Sequence, residues 1–333
     1  MRKVVLPLLL LLFISLATLA QAPLRVKAKS GDGIYTLLRR HGLSTAQLPD
    51  FLELNKDNLG EGNSLYAGRT YILPAKSATA KSTNASVSRV RTEPLFGKKY
   101  ERVELVDQKL KGAVYYLVSG HGGPDPGAVG KYGSYRLAED EYAYDVTIRL
   151  ARRLMEHGAT VYMIIKDEDD GIRDTNILQM DRDERNYDGS PVSRSQVQRL
   201  RQRVRSINGL YAKHKGAYQR MVTLHIDSRS ERKNIDVFFY HHENSPDGKK
   251  LAESIHTTFT NKYNRHQPDR DYSGTVSHRS SLYVVKYSHP PTVFIELGNI
   301  RNDLDQRRFV IPNNRQALAN WICDGIIADY RSK

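Results

Sequence analysis

The sequence predicts an α/β protein: a mostly parallel twisted sheet flanked by helices, preceded by a small β-α-α-β unit. Three observations carry that expectation. Between residues 96 and 333, short runs rich in β-branched and aromatic residues alternate with segments of helical period, the pattern of strands joined by crossover helices. These runs are almost continuously apolar rather than alternating, as in a sheet buried on both faces. Residues 76–95 are rich in Ser, Thr, Ala and Lys with little apolar content, which marks a flexible linker between the two units.

The chain opens with Arg2 and Lys3, followed by an apolar run to Ala20 and the small-x-small triplet Ala20-Gln21-Ala22. That order is expected to be a secretory signal peptide over residues 1–22, removed from the mature chain, with a membrane anchor as the alternative. Pro7 interrupts the run, no cysteine stands at the cleavage site, and no second apolar run is long enough to span a bilayer. The expected location is therefore secreted, periplasmic or cell-wall associated. Cys323 is the only cysteine, so no internal disulfide can form and the core must hold by burial, or with help from a metal. Formal net charge is +14, from 51 basic and 37 acidic residues. In an exported protein that excess favours a polyanionic partner such as cell wall, acidic glycan or lipid headgroups over nucleic acid. The densest basic cluster, Arg194 to Arg205, reads as a solvated helix face.

The small unit, residues 24–75, begins with the alternating stretch Leu24-Arg25-Val26-Lys27-Ala28 and a Gly-rich turn. Ile34, Leu37 and Leu38 follow at helical spacing, Leu48, Leu52 and Leu54 suggest a second helix, and Tyr71-Ile72-Leu73-Pro74 closes as a strand. With Gly31-Asp32, Asn55, Leu65-x-x-Gly68 and Ile72-Leu73-Pro74, the unit resembles a LysM module, although Gly33 and Lys56 replace the usual Thr and Pro. The resemblance implies binding of N-acetylglucosamine-containing glycan and anchoring to the wall.

In the large unit, strands are expected at residues 113–119, 159–165, 221–226, 235–240, 282–285 and 292–297, and helices at 142–157, 248–263 and 317–330. The polar stretch 167–195 is longer than an ordinary strand-to-helix link, and such loops are commonly functional or disordered. It is expected either to lie over an active-site rim, governing access of substrate or activator, or to be a solvated insertion.

Ligands of an open α/β sheet gather at the carboxyl ends of its strands. Here the first strand of the large unit ends in Ser119-Gly120-His121 and runs into Gly122-Gly123-Pro124-Asp125-Pro126-Gly127-Ala128, too rich in Gly and Pro for regular structure. A later strand ends in His225-Ile226-Asp227, and another carries Glu296 inside the apolar run Thr292-Val293-Phe294-Ile295-Glu296-Leu297. A carboxylate buried there needs a partner, a proton or a function, because an unpaired buried charge costs several kcal/mol. Glu141, last of the acidic stretch Glu139-Asp140-Glu141, opens the helix that follows the glycine loop. No P-loop or dinucleotide fingerprint is present.

Taken together, these segments resemble the zinc-dependent N-acetylmuramoyl-L-alanine amidase family over residues 113–330. Gly120 to Ala128 follows the family's first motif, with Val118-Ser119 where the family has Asp-Pro. Thr223-Leu224-His225-Ile226-Asp227 follows its third, and residues 291–302 follow its fourth. The resemblance implies Zn2+ held by His121, Glu141 and His225, with Glu296 as general base, and hydrolysis of the amide between N-acetylmuramic acid and L-alanine in peptidoglycan. Glu141 is preferred because it keeps Val146, Ile148 and Leu150 in the family's helical register; Glu139 is the alternative. His241, His242, His278 and His289 match no motif and read as surface residues or substrate contacts. The expected partners are peptidoglycan, through glycan strand and stem peptide, and a protein activator. Neither nucleic acid nor a stable membrane span after signal cleavage is expected. The alternative is a wall-binding scaffold with an inactive amidase domain.

Overall fold

A computed structural model describes residues 24–29, 32–43, 47–60, 63–75, 90–228 and 234–333. The expected signal peptide, residues 76–89 of the expected linker, and Gly31 lie outside the described residues. The chain forms two compact units, divided after residue 82.

The first unit has the expected β-α-α-β order. Strands β1 (Arg25–Lys27) and β2 (Thr70–Ile72) pair antiparallel, and helices α1 (Ile34–Arg40) and α2 (Leu48–Asn55) lie between them in sequence. Val26, Leu37, Leu38, Phe51 and Tyr71 form its core. Asn55 is buried at the end of α2 and joins helix to sheet: its Oδ1 accepts from Ile72 N at 2.7 Å and its Nδ2 donates to Ile72 O at 2.8 Å.

The second unit begins earlier than expected. Strands β3 (Val90–Thr92) and β4 (Arg102–Glu104) pair antiparallel, so the last residues of the expected linker belong to ordered structure. Strand β5 (Ala113–Ser119) runs into the glycine loop, the hairpin β6 (Val129–Tyr132) and β7 (Tyr135–Ala138), and then helix α3 (Glu139–Glu156). The expected strand at 159–165 splits into β8 (Thr160–Met163) and β9 (Ile165–Lys166), and β9 pairs with β10 (Arg185–Asn186). Helix α4 (Gln196–Lys213), strand β11 (Tyr218–Asp227), strand β12 (Phe238–His241), helix α5 (Pro246–His266) and strand β13 (Thr275–His278) follow. The chain ends with α6 (Tyr283–Tyr287), β14 (Thr292–Asn299), α7 (Asp303–Val310) and α8 (Pro312–Arg331). Residues 282–285, expected as a strand, therefore lie largely in helix. A four-residue apolar run carries no period that separates the two states, and here Val284 and Val285 bury in the apolar cluster that contains Ile207 and Leu210 of α4.

Six strands form the main sheet in the order β13-β12-β14-β11-β5-β8. Every neighbouring pair is parallel except β12 with β14, so the sheet is mostly parallel, as expected. Strands β5 and β14 are buried at every position, which explains their unbroken apolar character. Helices α3, α5 and α8 pack over one face around Leu150, Ile255, Phe259, Ile322 and Cys323, while α4 and α6 cover the other. Among the described residues, no helix is long and apolar enough to cross a membrane.

One polar network runs through this apolar layer. Asp145 of α3 is fully buried; its Oδ2 accepts from Arg149 Nε at 2.7 Å and from Arg315 Nε at 2.5 Å, and its Oδ1 accepts from Arg173 N at 2.8 Å. The guanidinium of Arg315 goes on to the carbonyls of Phe309, Val310, Arg173 and Thr175. Burial alone would raise the pKa of Asp145, but the two arginines outweigh it and hold the carboxyl below its usual value. Its stabilising contribution is therefore present above the unfolded pKa of about 3.9 and is lost as pH falls through the lower folded value. Asp145→Asn, which leaves two buried guanidiniums without their anion, is expected to lower stability at pH 7 by about 3–5 kcal/mol. Urea unfolding measures this, and the gap to the parent protein should narrow towards the acid limb.

Candidate metal centre

Three segments converge at the carboxyl end of the sheet. The glycine loop leaves β5 with Gly120 N donating to Leu224 O of β11 at 2.8 Å, which fixes the next residue beside that strand. His121 then takes φ +60°, the left-handed region that a side-chain-bearing residue enters at a cost of about 1–3 kcal/mol. Two glycines are required by close approach. A Cβ at Gly120 would lie 2.4 Å from His225 Nδ1, and one at Gly127 would lie 2.6 Å from His121 Cδ2 and 2.7 Å from Glu139 Oε2.

Glu139 is the first residue of α3, and its carboxylate is the hub. Oε1 accepts from Ile226 N at 3.0 Å and stands 2.9 Å from His225 Nδ1. Oε2 accepts from Ala128 N at 2.8 Å and stands 3.3 Å from His121 Nε2. The two imidazoles meet edge to face at 5.1 Å, and His225 stacks on Phe294 of β14 at 4.3 Å. His121 Nδ1 is 2.9 Å from Asp125 Oδ2, so the ring's other nitrogen is the one that faces Glu139 and His225. Glu296 is buried and sits in register beside His225 on the adjacent parallel strand, which places both side chains on one face of the sheet.

Electrostatics follow from burial and these contacts. Desolvation opposes protonation of His121, yet the hydrogen bonds of Asp125 and Glu139 prevail and raise its pKa to about 10. Burial would likewise raise Glu139, but the two histidines hold it far below the usual carboxylate range. His225 goes the other way: burial lowers its pKa despite Glu139. Without a metal, the cluster holds one proton on His121 as its counter-charge.

A cavity of about 280 Å³ opens beside the two histidines, lined among others by Thr223, Phe294, Tyr283 and the arginines Arg199 and Arg203. Residues 116–328 match the family profile described as N-acetylmuramoyl-L-alanine amidase. The chain belongs to that family. It is 25% identical over 227 residues to the germination-specific N-acetylmuramoyl-L-alanine amidase of Bacillus subtilis, covering 67% of this chain and 82% of that one. It is 27% identical over 222 residues to the probable cell wall amidase LytH of Staphylococcus aureus, covering 65% of this chain but only 58% of the relative. Similar solved structures include the CwlD amidase from Clostridioides difficile in complex with the GerS lipoprotein, with 20% identity, 66% and 98% of the two chains covered, and a TM-score of 0.49. The amidase AmiC2 of Nostoc punctiforme gives 19% identity, 67% and 99% coverage, and a TM-score of 0.47.

Against the expected site of this amidase, His121 and His225 come together and Glu296 lies beside them, but Glu141 does not join. Its carboxylate faces Arg173 Nη1 at 2.8 Å and accepts from Asp181 N at 3.0 Å, on another side of the helix. Helix geometry forces a choice: residues two positions apart in an α-helix are about 200° apart around its axis, so only one of Glu139 and Glu141 can face the histidines. The structure turns Glu139, the alternative, towards the histidines and Glu141 away from them. Asp125, Arg199 and Arg203 were not singled out from the sequence, and the basic cluster read as a solvated face buries both arginines. His241 is buried at the end of β12 and, like exposed His278 and His289, stands outside the cluster.

The 167–195 stretch exposes more than half of its residues, but its buried ones tie it to the glycine loop. Glu184 Oε2 accepts from Gly123 N at 2.6 Å, and Val192 leaves no room for a Cβ on Gly123, its own Cβ lying 2.7 Å from that position. The close approach at Gly120 gives a direct test. Gly120→Ala must push the His225 imidazole aside, and misplacement by about 1 Å costs about 100-fold in rate. Muropeptide hydrolysis should fall by at least that order while the far-UV circular dichroism stays that of the parent protein.

Proposed function

We propose that this amidase hydrolyses the amide between the lactyl group of N-acetylmuramic acid and L-alanine of the stem peptide, using Zn2+ held by His121, Glu139 and His225. The observation that carries the reading is the convergence of two imidazoles and one carboxylate whose ligand atoms all lie within 4.8 Å of one another. Two nitrogens and one oxygen are the donor set of catalytic zinc, which takes three protein ligands and keeps a fourth position open. The glycine cradle around the three side chains, with no space for a Cβ at positions 120 and 127, fits a centre that must close around a small ion. Zinc, when bound, supplies a Lewis acid for the scissile carbonyl and lowers the pKa of a water towards ~7.

The remaining chemistry falls to the protein. Glu296, beside His225, takes the proton from the attacking water and delivers it to the leaving nitrogen, so that one water is consumed and a carboxylate and a free L-alanyl amine are produced. Asp125 holds Nδ1 of His121 and so keeps Nε2 directed at the centre. The cavity alongside, walled by Leu282, Tyr283 and Phe294, gives the substrate an apolar rest next to the reacting bond. An inactive scaffold would require a missing donor, and each of the three donors stands in place. Residues 24–75 are read as a LysM-like glycan anchor, a reading supported by their β-α-α-β order, and the cell wall as the place of action follows from the substrate.

Mass analysis of purified muropeptides tests the reaction. Intact stem peptides with free N-terminal L-alanine should appear, should vanish on chelation and should return with added Zn2+. Glu296→Ala should reduce turnover by about 100- to 10,000-fold with bound metal retained; turnover that survives this change would refute the base assignment. Metal analysis separates the two carboxylates of α3: Glu139→Ala should lose the metal, and Glu141→Ala should keep it.

A further inference from the structure

Helix α4 presents two arginines one turn apart, Arg199 and Arg203, towards the glycine loop, and both are buried, at 8% and 5% exposure. Burying a guanidinium costs several kcal/mol unless something specific is gained. Each arginine grips a different point of the segment that carries His121. Arg199 Nη2 donates to Asp125 Oδ2 at 2.5 Å, and that same oxygen is the one 2.9 Å from His121 Nδ1. The other end of the Arg199 guanidinium is pinned to the carbonyls of Ser193 and Arg194, so the fork cannot swing. Arg203 Nη2 donates to the His121 carbonyl itself; among the described residues this is its one hydrogen bond, and its Nε is buried without a partner. A side chain retained there at such cost is retained for that carbonyl. The carbonyl belongs to the residue held in the left-handed region, whose strain must be opposed by contacts around it.

We propose that Arg199 and Arg203 are positioning residues of the metal centre: Arg199 sets the His121 ring through Asp125, and Arg203 sets the His121 backbone. The proposal rests on the zinc reading of the His121, Glu139 and His225 cluster. It makes two distinct claims about coupling. Arg199 acts only through Asp125, so its effect disappears once Asp125 can no longer serve. Arg203 acts through the main chain, so its effect does not depend on Asp125.

The test uses the full chain stripped of metal, titrated with Co2+ and followed by the visible absorption of the bound ion, with Zn2+ affinity from competition against a chromophoric chelator. Arg199→Gln should weaken binding by about 10- to 100-fold and alter the Co2+ spectrum. Asp125→Asn should weaken it comparably, and Asp125→Asn/Arg199→Gln should bind no more weakly than Asp125→Asn alone. Arg203→Met, which keeps the buried volume, should weaken binding in either background. Arg199→Gln binding Co2+ as the parent does, or adding its loss in full to that of Asp125→Asn, overturns the claim for Arg199. Unchanged binding by Arg203→Met overturns the claim for Arg203. Should Arg199→Gln fail to fold, Arg199→Lys takes its place, with a smaller loss that again vanishes in the Asp125→Asn background; binding equal to the parent's overturns the claim. A parent chain that binds neither Co2+ nor Zn2+ refutes the zinc reading itself, a failure visible before any variant is compared.

Discussion

Glu139 has two oxygens, and four groups from two segments converge on them: Ile226 N and His225 from β11, and Ala128 N and His121 from the glycine loop after β5. The carboxylate can do this because it opens α3, where the helix lets its first side chain lean out over the carboxyl ends of the strands. The two backbone N–H groups fix the carboxylate plane, and the plane in turn fixes where the imidazoles can stand. The glycines at 120 and 127 follow from that packing, since a methyl group at either would occupy the space the rings need.

The same contacts set the charge of the centre. A carboxylate 4% exposed would not stay ionised without a nearby cation. In the metal-free chain a proton on His121 fills that role, drawn there by Glu139 on one side and Asp125 on the other. On the proposed zinc reading, a divalent cation held by the three donors would displace that proton, coupling metal uptake to proton release. Asp125 remains ionised throughout because Arg199 and His121 both hold its pKa low. Arg199 of α4 thus belongs to the electrostatics of the centre through Asp125.

Much of this was legible in the sequence, for a physical reason. Strand ends are marked by a change from apolar to polar residues, so His121, His225 and Glu296 announce themselves at or near the end of unbroken apolar runs. The parallel sheet was readable from the same runs. Three consecutive acidic side chains, by contrast, carry no label for where a helix begins, and the difference between Glu139 and Glu141 is a rotation about the helix axis that only the start of α3 settles. The arginines were misread because charge along a helix ordinarily signals solvent; burial of Arg199 and Arg203 depends on acceptors in the glycine loop, more than 70 residues away. Helix α6 was misread because four apolar residues fit strand and helix equally.

The stretch between β9 and α4 shows how stability and site are joined. Arg149 and Arg315, the cations of the Asp145 network, spend donors on the carbonyl of Arg173, and Arg315 also on that of Thr175. A few residues on, Asp181 N is taken by Glu141 and Glu184 takes Gly123 N of the glycine loop. The stretch is therefore anchored in one part to the fully buried Asp145 network of the helical layer and in another to the backbone one residue from the His121–Gly122 step. A detachable lid would leave both ends satisfied when it opened. Opening this one would take Arg173 Nη1 and Asp181 N from the buried Glu141 carboxylate, and an unpaired buried charge costs several kcal/mol. Its contacts hold it against α3 and the glycine loop, and Glu141, expected beside the histidines, is instead the α3 residue that grips it.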